Sequence, residues 1–216
     1  SAQAATITAD YSFSLNGNVT FNANLPGHSG PKTVNTALMS AIRTDLPAGA
    51  GVDSNVPLKF TAFCVEVGET INSGSQTHAN VLPLLGATTV PGGISGPVFF
   101  DATRTKNLEL LWGTYRAAVV DTQSAAAFQL AEWEIAFDDD LTLTDNTKKL
   151  WVDNVSTGLY GQSEAWLNAI KNGNATTRQS LYLLQGQGIQ DLVTPVPEPG
   201  TLAAIGIGAA GLLRRR

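Results

Sequence analysis

Leu58-Lys59-Phe60-Thr61-Ala62-Phe63-Cys64-Val65-Glu66-Val67 is the stretch on which the fold turns. In an extended chain successive side chains point to opposite faces. Phe60, Ala62 and Cys64 then share one face, and Phe63, Val65 and Val67 share the other. A strand that is apolar on both faces must be covered on both, so this one is central, with a second layer packed against it. Upstream, Tyr11, Phe13 and Leu15 alternate with Ser12 and Ser14, while Val19, Phe21, Ala23 and Leu25 alternate with Thr20, Asn22 and Asn24. The intervening Asn16-Gly17 predicts a hairpin turn between two strands. Residues 26–57, rich in Gly, Pro, Asn and Ala, read as irregular apart from an apolar stretch around Leu38–Ile42. Residues 68–100 read the same way, with turn clusters at Asn72-Ser73-Gly74 and Pro91-Gly92-Gly93.

Downstream the period changes. Leu108, Leu111, Trp112, Tyr115 and Val119 recur at three- and four-residue steps, the mark of one apolar helical face. A second helix is predicted from about Ser124, as N-cap, to Ala136, and a third over about Ser163–Lys171, ended by Asn172-Gly173. Leu181–Leu184 reads as a closing strand, with a last short strand within Gln185–Pro195. The expected class is α+β, mainly β: a β-sandwich or barrel with an inserted helical subdomain, plus a C-terminal apolar sorting helix. The expected divisions are a body of 1–194, with the helical insert around 104–172, and a terminal segment of 195–216.

The 216 residues are 43% apolar and only 14% charged, enough for one core and too hydrophobic for a disordered chain. The formal net charge is −5, and three of the 13 cationic residues are the last three, so the body is more acidic still. Such a chain has no electrostatic footprint for nucleic acid. One cysteine excludes an intrachain disulfide, two histidines leave little for a metal, and no cofactor is expected.

The ends carry addresses. Ser1-Ala2-Gln3-Ala4-Ala5 reads like the small-residue end of a processed secretory signal. At the other end, Pro197-Glu198-Pro199 precedes thirteen uncharged residues, Thr201–Leu213, and the basic stop Arg214-Arg215-Arg216. As a helix the apolar run spans roughly 20 Å, short of a ~30 Å hydrocarbon core. This order resembles the PEP-CTERM sorting signal of Gram-negative bacteria. The resemblance implies export, transient membrane anchoring, processing by an exosortase near Pro197–Pro199, and residence at the cell surface or in the extracellular matrix. Gly206-Ile207-Gly208-Ala209-Ala210-Gly211 spells a dinucleotide fingerprint, but the chain ends too soon for the βαβ unit such a site needs.

Two segments of the body carry chemistry: Phe63-Cys64-Val65-Glu66 and, 65 residues after the cysteine, Phe128-Gln129-Leu130-Ala131-Glu132-Trp133. A lone free cysteine often packs as a small hydrophobe. Gln129, however, is an amide set between apolar neighbours. Together the two segments resemble the thioester domains of bacterial surface adhesins, with Glu132 standing where that family usually has an apolar residue. The resemblance implies a cross-link between Cys64 and Gln129 that forms a covalent bond to an amine or hydroxyl on a surface or matrix partner. This is single-turnover attachment, not an enzyme cycle. An amide is a poor electrophile, so the reaction needs enforced proximity, oxyanion donors and an acid to protonate the departing ammonia. Glu66 and Glu132 are the candidate acid/base groups, and Glu66 is favoured because residues 64 and 66 of a strand share a face. Phe63, Phe128 and Trp133 are candidates for an apolar cage that keeps water out.

Other motifs read more plainly. Asp138-Asp139-Asp140 lacks the ordered ligand spacing of a calcium loop. Gly27-His28-Ser29-Gly30 is no nucleophile elbow. Trp112, Trp133 and Trp166 sit at helical core spacing, leaving Trp151 as the tryptophan to expect at the surface. Two other functions stay open: a self-associating matrix or fibre subunit in which Cys64 is core, and a non-covalent carbohydrate-binding module.

Overall fold

The computed structural model describes residues 5–45, 56–67, 69–90, 94, 96–138, 140–156, 158–186 and 188–197. The element order is β1 (Ala5–Leu25), β2 (His28–Arg43), β3 (Lys59–Cys64), β4 (Gly74–Pro83), α1 (Ala102–Tyr115), α2 (Thr122–Phe137), β5 (Leu150–Trp151), α3 (Gly158–Lys171), β6 (Leu181–Gly186) and β7 (Leu192–Pro195). The strands form one antiparallel sheet in the order β2-β3-β7-β6-β4-β1-β5, and β2 also pairs with β1. That last pairing closes the sheet, so six strands make a barrel and β5 hangs on β1 at Asn22 and Ala23. The architecture is mainly β with three α-helices, and of the two expected alternatives it is the barrel.

Two apolar clusters share the strands between them. Ile7, Ala9, Tyr11, Met39, Ala41, Phe60, Ala62, Val81, Leu184 and Leu192 fill the barrel. Phe63, Val65, Leu183 and Val193 point outward into a larger cluster with the helices. Neighbouring residues such as Ala62/Phe63, Leu183/Leu184 and Leu192/Val193 therefore serve opposite layers. That is the two-sided burial that the run from Phe60 to Val67 requires.

Asn16-Gly17 is not a turn. Strand β1 runs straight through it, and the turn lies at Pro26-Gly27 instead. The pairing moves from Ser14↔Leu38 to Gly17↔Thr36, so Leu15 and Asn16 together face Ala37: a β-bulge, with Leu15 at φ 53°. One extra residue rotates the strand by half a pleat. Tyr11 before the bulge points into the barrel, whereas Val19, Phe21 and Ala23 after it point to the helices. Both halves carry odd-numbered apolar residues, which is why a turn between two strands and a bulge within one look alike in the sequence.

Two segments expected to be irregular are strands. β2 takes up His28–Arg43 and β4 takes up Gly74–Pro83, both paired with β1, and their polar Thr36, Arg43 and His78 are buried, His78 packing edge-on against Tyr11. Among the helices, α2 begins earlier than expected. Asp121 is its N-cap and Ser124 is the third helical residue, with Asp121 Oδ1 accepting from Ser124 N at 2.7 Å and Ser124 Oγ accepting from Asp121 N at 3.0 Å. Such a reciprocal cap is worth about 1 kcal/mol. From Ser124 to Phe137 every residue of α2 is buried, so it is a core helix covered all round rather than an amphipathic one.

Candidate functional site

The central strand and the core helix meet at Cys64 and Gln129. Gln129 Oε1 accepts from the Cys64 main-chain N–H at 3.1 Å, and Gln129 Nε2 donates to the Cys64 carbonyl at 2.6 Å. The side-chain amide thus continues the sheet edge as a peptide group would. Phe63 and Phe128, the residues preceding each partner, stack 4.9 Å apart between centroids, and Trp112 packs edge-on against both. All three rings are buried, and each such side chain contributes on the order of 2 kcal/mol through burial. Trp133 lies apart from this trio, packed on Phe21 with centroids 5.7 Å apart.

The thiol has a second neighbour that the sequence reading missed. Cys64 Sγ donates to Gln190 Oε1 at 2.6 Å, and Gln190 Nε2 donates to the Glu66 carbonyl at 2.8 Å. Gln190 belongs to the tight connection from β6 to β7. Asp191 pins that connection, accepting from Gly186 N and Val90 N at 2.7 Å each and giving its own N–H to Glu66 Oε2 at 3.1 Å. A Cβ on Gly186 would sit 2.8 Å from the Ile189 carbonyl, so the loop closes only around glycine. The one available signal was the polar pair Gln190-Asp191 directly before the apolar Leu192-Val193.

Cys64, Glu66, Trp133 and Gln190 all border a cleft of about 760 Å³ at the mouth of the barrel. Its opposite wall is the far end of the β1–β2 hairpin, residues 16–18 and 32–37. Cys64 itself is half-buried. Desolvation, together with the carboxyls of Glu132 and Glu66, pushes its thiol well above the ordinary range. Burial, then the neighbouring Asp191, raises Glu66 to about 8. Burial likewise raises Asp191 to about 6 against the pull of its two N–H donors.

Glu132 lies one turn after Gln129, wholly buried, with Oε2 accepting from Trp112 Nε1 at 3.2 Å and no partner on Oε1. Desolvation drives its carboxyl well above the ordinary carboxylate range, which favours the neutral form, against the pull of the Trp112 N–H. Both acid/base candidates are buried, but Glu66 belongs to the lining of the cleft and Glu132 does not.

The remaining motifs have structural roles. Asp138 Oδ2 accepts from Lys149 N and Leu150 N, which anchors β5, and the described residues hold no group of three His, Cys, Asp or Glu placed for a metal. Trp112, Trp133 and Trp166 are buried, and half-buried Trp151 borders a smaller cleft of about 390 Å³. Glu198, Pro199, the apolar helix and Arg214, Arg215 and Arg216 lie outside the described residues, as do residues 1–4; Pro197 is the last described position.

Comparison with known proteins bears on the tail. Residues 195–216 match the PEP-CTERM protein-sorting motif. No curated protein and no solved structure matches the chain. The signal marks an exported protein of Gram-negative bacteria, recognised by an exosortase at its C-terminus and sorted to the cell surface or extracellular space.

Proposed function

We propose that Cys64 and Gln129 condense to an internal thioester, and that the protein uses it to attach itself covalently to a surface or matrix partner. The observation that carries this reading is the double hydrogen bond between the Gln129 amide and the Cys64 main chain. It holds the Gln129 carboxamide against the residue that carries the thiol, and enforced proximity of this kind supports effective molarities of ~10⁵ M or more once the reacting atoms reach near-attack geometry. It also puts the Cys64 N–H on the oxygen that becomes the oxyanion when sulfur adds.

The step balances without a cofactor. Cys64 Sγ bonds to Gln129 Cδ, the Cδ–Nε2 bond breaks, and the thiol proton leaves with nitrogen as ammonia. A partner amine or hydroxyl then displaces sulfur, so the acyl group passes to the partner and the thiol is restored. One molecule reacts once, which suits a tether and not a catalytic cycle. Gln190 orients the thiol by accepting its hydrogen bond. Phe63, Phe128 and Trp112 shield the inner side from water.

Intact mass is the test. The folded body weighs one ammonia less than its sequence, methylamine adds to Gln129, and Cys64→Ala abolishes both. A folded protein at its full sequence mass that takes up no methylamine overturns the reading.

A further inference from the structure

β2 is paired with β1 along its whole length, from His28 to Arg43, but with β3 only from Met39 to Ile42. Extending that register by two residues brings Cys64 opposite Ala37, and there the neighbouring strand ends. Val65 stays in register with β7, its N–H on the Asp191 carbonyl at 3.1 Å, and the Val67 carbonyl accepts from Ile94 N at 2.9 Å, so past Cys64 the chain keeps to β7 and pairs no further with β2. The place beside β2 that β3 leaves is the cleft. Lys32 to Ala37 border it in unbroken succession, which a strand presents with its main-chain edge, not with one face. Among the described residues no main-chain group takes up this edge. Strand N–H and C=O groups are strong, obligatory bonding groups, and a free edge is a template for another strand. Two buried polar atoms of cleft residues, Thr36 Oγ1 and Trp133 Nε1, also lack partners.

We infer that an extended polypeptide segment of the partner adds to β2 along Lys32–Ala37, in line with β3, and delivers a lysine side chain to the Cys64–Gln129 bond. Main-chain pairing supplies the affinity in this mode, and alternate side chains supply the selection. The charges suit an ammonium at the Cys64 end. Glu69, beside Glu66, borders the cleft there, while its one lining cation, Lys32, stands five residues along the strand, about 17 Å away. The lysine Nζ bonds to Gln129 Cδ, the C–S bond breaks, and the proton shed by nitrogen restores the thiol. The delivery rests on the thioester reading, whereas the strand site does not.

The two are separated by using both the native chain and Cys64→Ala, which cannot react. The probe is a peptide alternating threonine and valine about one central lysine, long enough to span Lys32–Ala37, with a second version N-methylated at alternate residues. With Cys64→Ala, the plain peptide slows amide exchange at residues 32–37 and the methylated one does not. With the native chain, the plain peptide labels Gln129 about tenfold faster than the methylated one, the consequence of losing one or two main-chain hydrogen bonds. Methylamine labels at its own rate, unaffected by either. Equal labelling by the two peptides, or protection confined to other residues, overturns the strand site even where methylamine adds. Protection of the same amides by raised protein concentration alone identifies a second copy as occupant and overturns it too. Failure of methylamine to add, with protection intact, removes the thioester and leaves the strand site standing.

Discussion

The main-chain N–H of Cys64 points at Oε1 of Gln129 across 3.1 Å, so in the proposed condensation the thiol's own residue would stabilise the carbonyl under attack. Removing the leaving group while keeping the shape isolates the chemistry. Gln129→Glu keeps the side chain's shape and its acceptor for the Cys64 N–H, gives up the Nε2 donor to the Cys64 carbonyl, and has no ammonia to release. Its mass is expected to stay at the sequence value while its thermal transition persists. Loss of mass in this variant places the acyl group elsewhere.

Gln190 is the other amide within reach of the thiol, at 2.6 Å from Sγ to Oε1. Among the described residues no main-chain N–H serves its oxygen, unlike that of Gln129, which argues for an orienting role. Gln190→Ala is therefore expected to form the bond about tenfold more slowly, the effect of one lost hydrogen bond, and still to completion. Refolding from denaturant and following intact mass measures the rate. If Gln190→Ala abolishes ammonia loss and Gln129→Glu retains it, the acyl donor is Gln190.

How much of this was legible beforehand depended on what each signal meant locally. The two-sided burial of the run Phe60–Val67 was readable, because a short apolar run rich in aromatic and β-branched residues suits a strand covered on both sides, although the strand itself ends at Cys64. Strand β2 was not. Its Gly30, Pro31 and Asn35 are poor strand formers, held in the ladder by fifteen register positions with β1 and not by propensity. Asn16-Gly17 is a strong turn signal that tertiary pairing spends on a bulge. Cys64 and Gln129 stood out as a pair because each sits among apolar residues. Gln190 did not, since only the closing of the barrel brings the β6–β7 connection beneath residue 64.

Stability is expected to depend on pH through Glu66. Its carboxyl titrates at about 8 in the folded chain, against 4.5 for the ordinary value. The folded state holds the extra proton, so this group's contribution is full below 4.5 and is lost as pH rises through 8. Glu66→Gln removes the titration. The native chain should lose thermal stability relative to Glu66→Gln on going from pH 5 to about 8 and run parallel to it above. Parallel curves throughout refute the assigned proton.

Glu132 separates a packing role from a chemical one. Its carboxyl is buried, pushed upward by desolvation and bonded through Oε2 to Trp112 Nε1 at 3.2 Å. Trp112→Phe leaves that oxygen without its donor and is expected to cost about 1–3 kcal/mol in denaturant unfolding. Glu132→Gln preserves an uncharged, hydrogen-bonding side chain of the same size, so its unfolding free energy should stay within about 1 kcal/mol of the native value. If Glu132, one turn from Gln129 with Oε1 unpartnered, is the acid that protonates departing ammonia, an amide in its place cannot do so. Glu132→Gln should then slow ammonia loss during refolding by about 10²-fold or more, the usual worth of a positioned acid. An unchanged rate, with stability also unchanged, assigns Glu132 to packing alone and leaves Glu66 as the acid at the cleft.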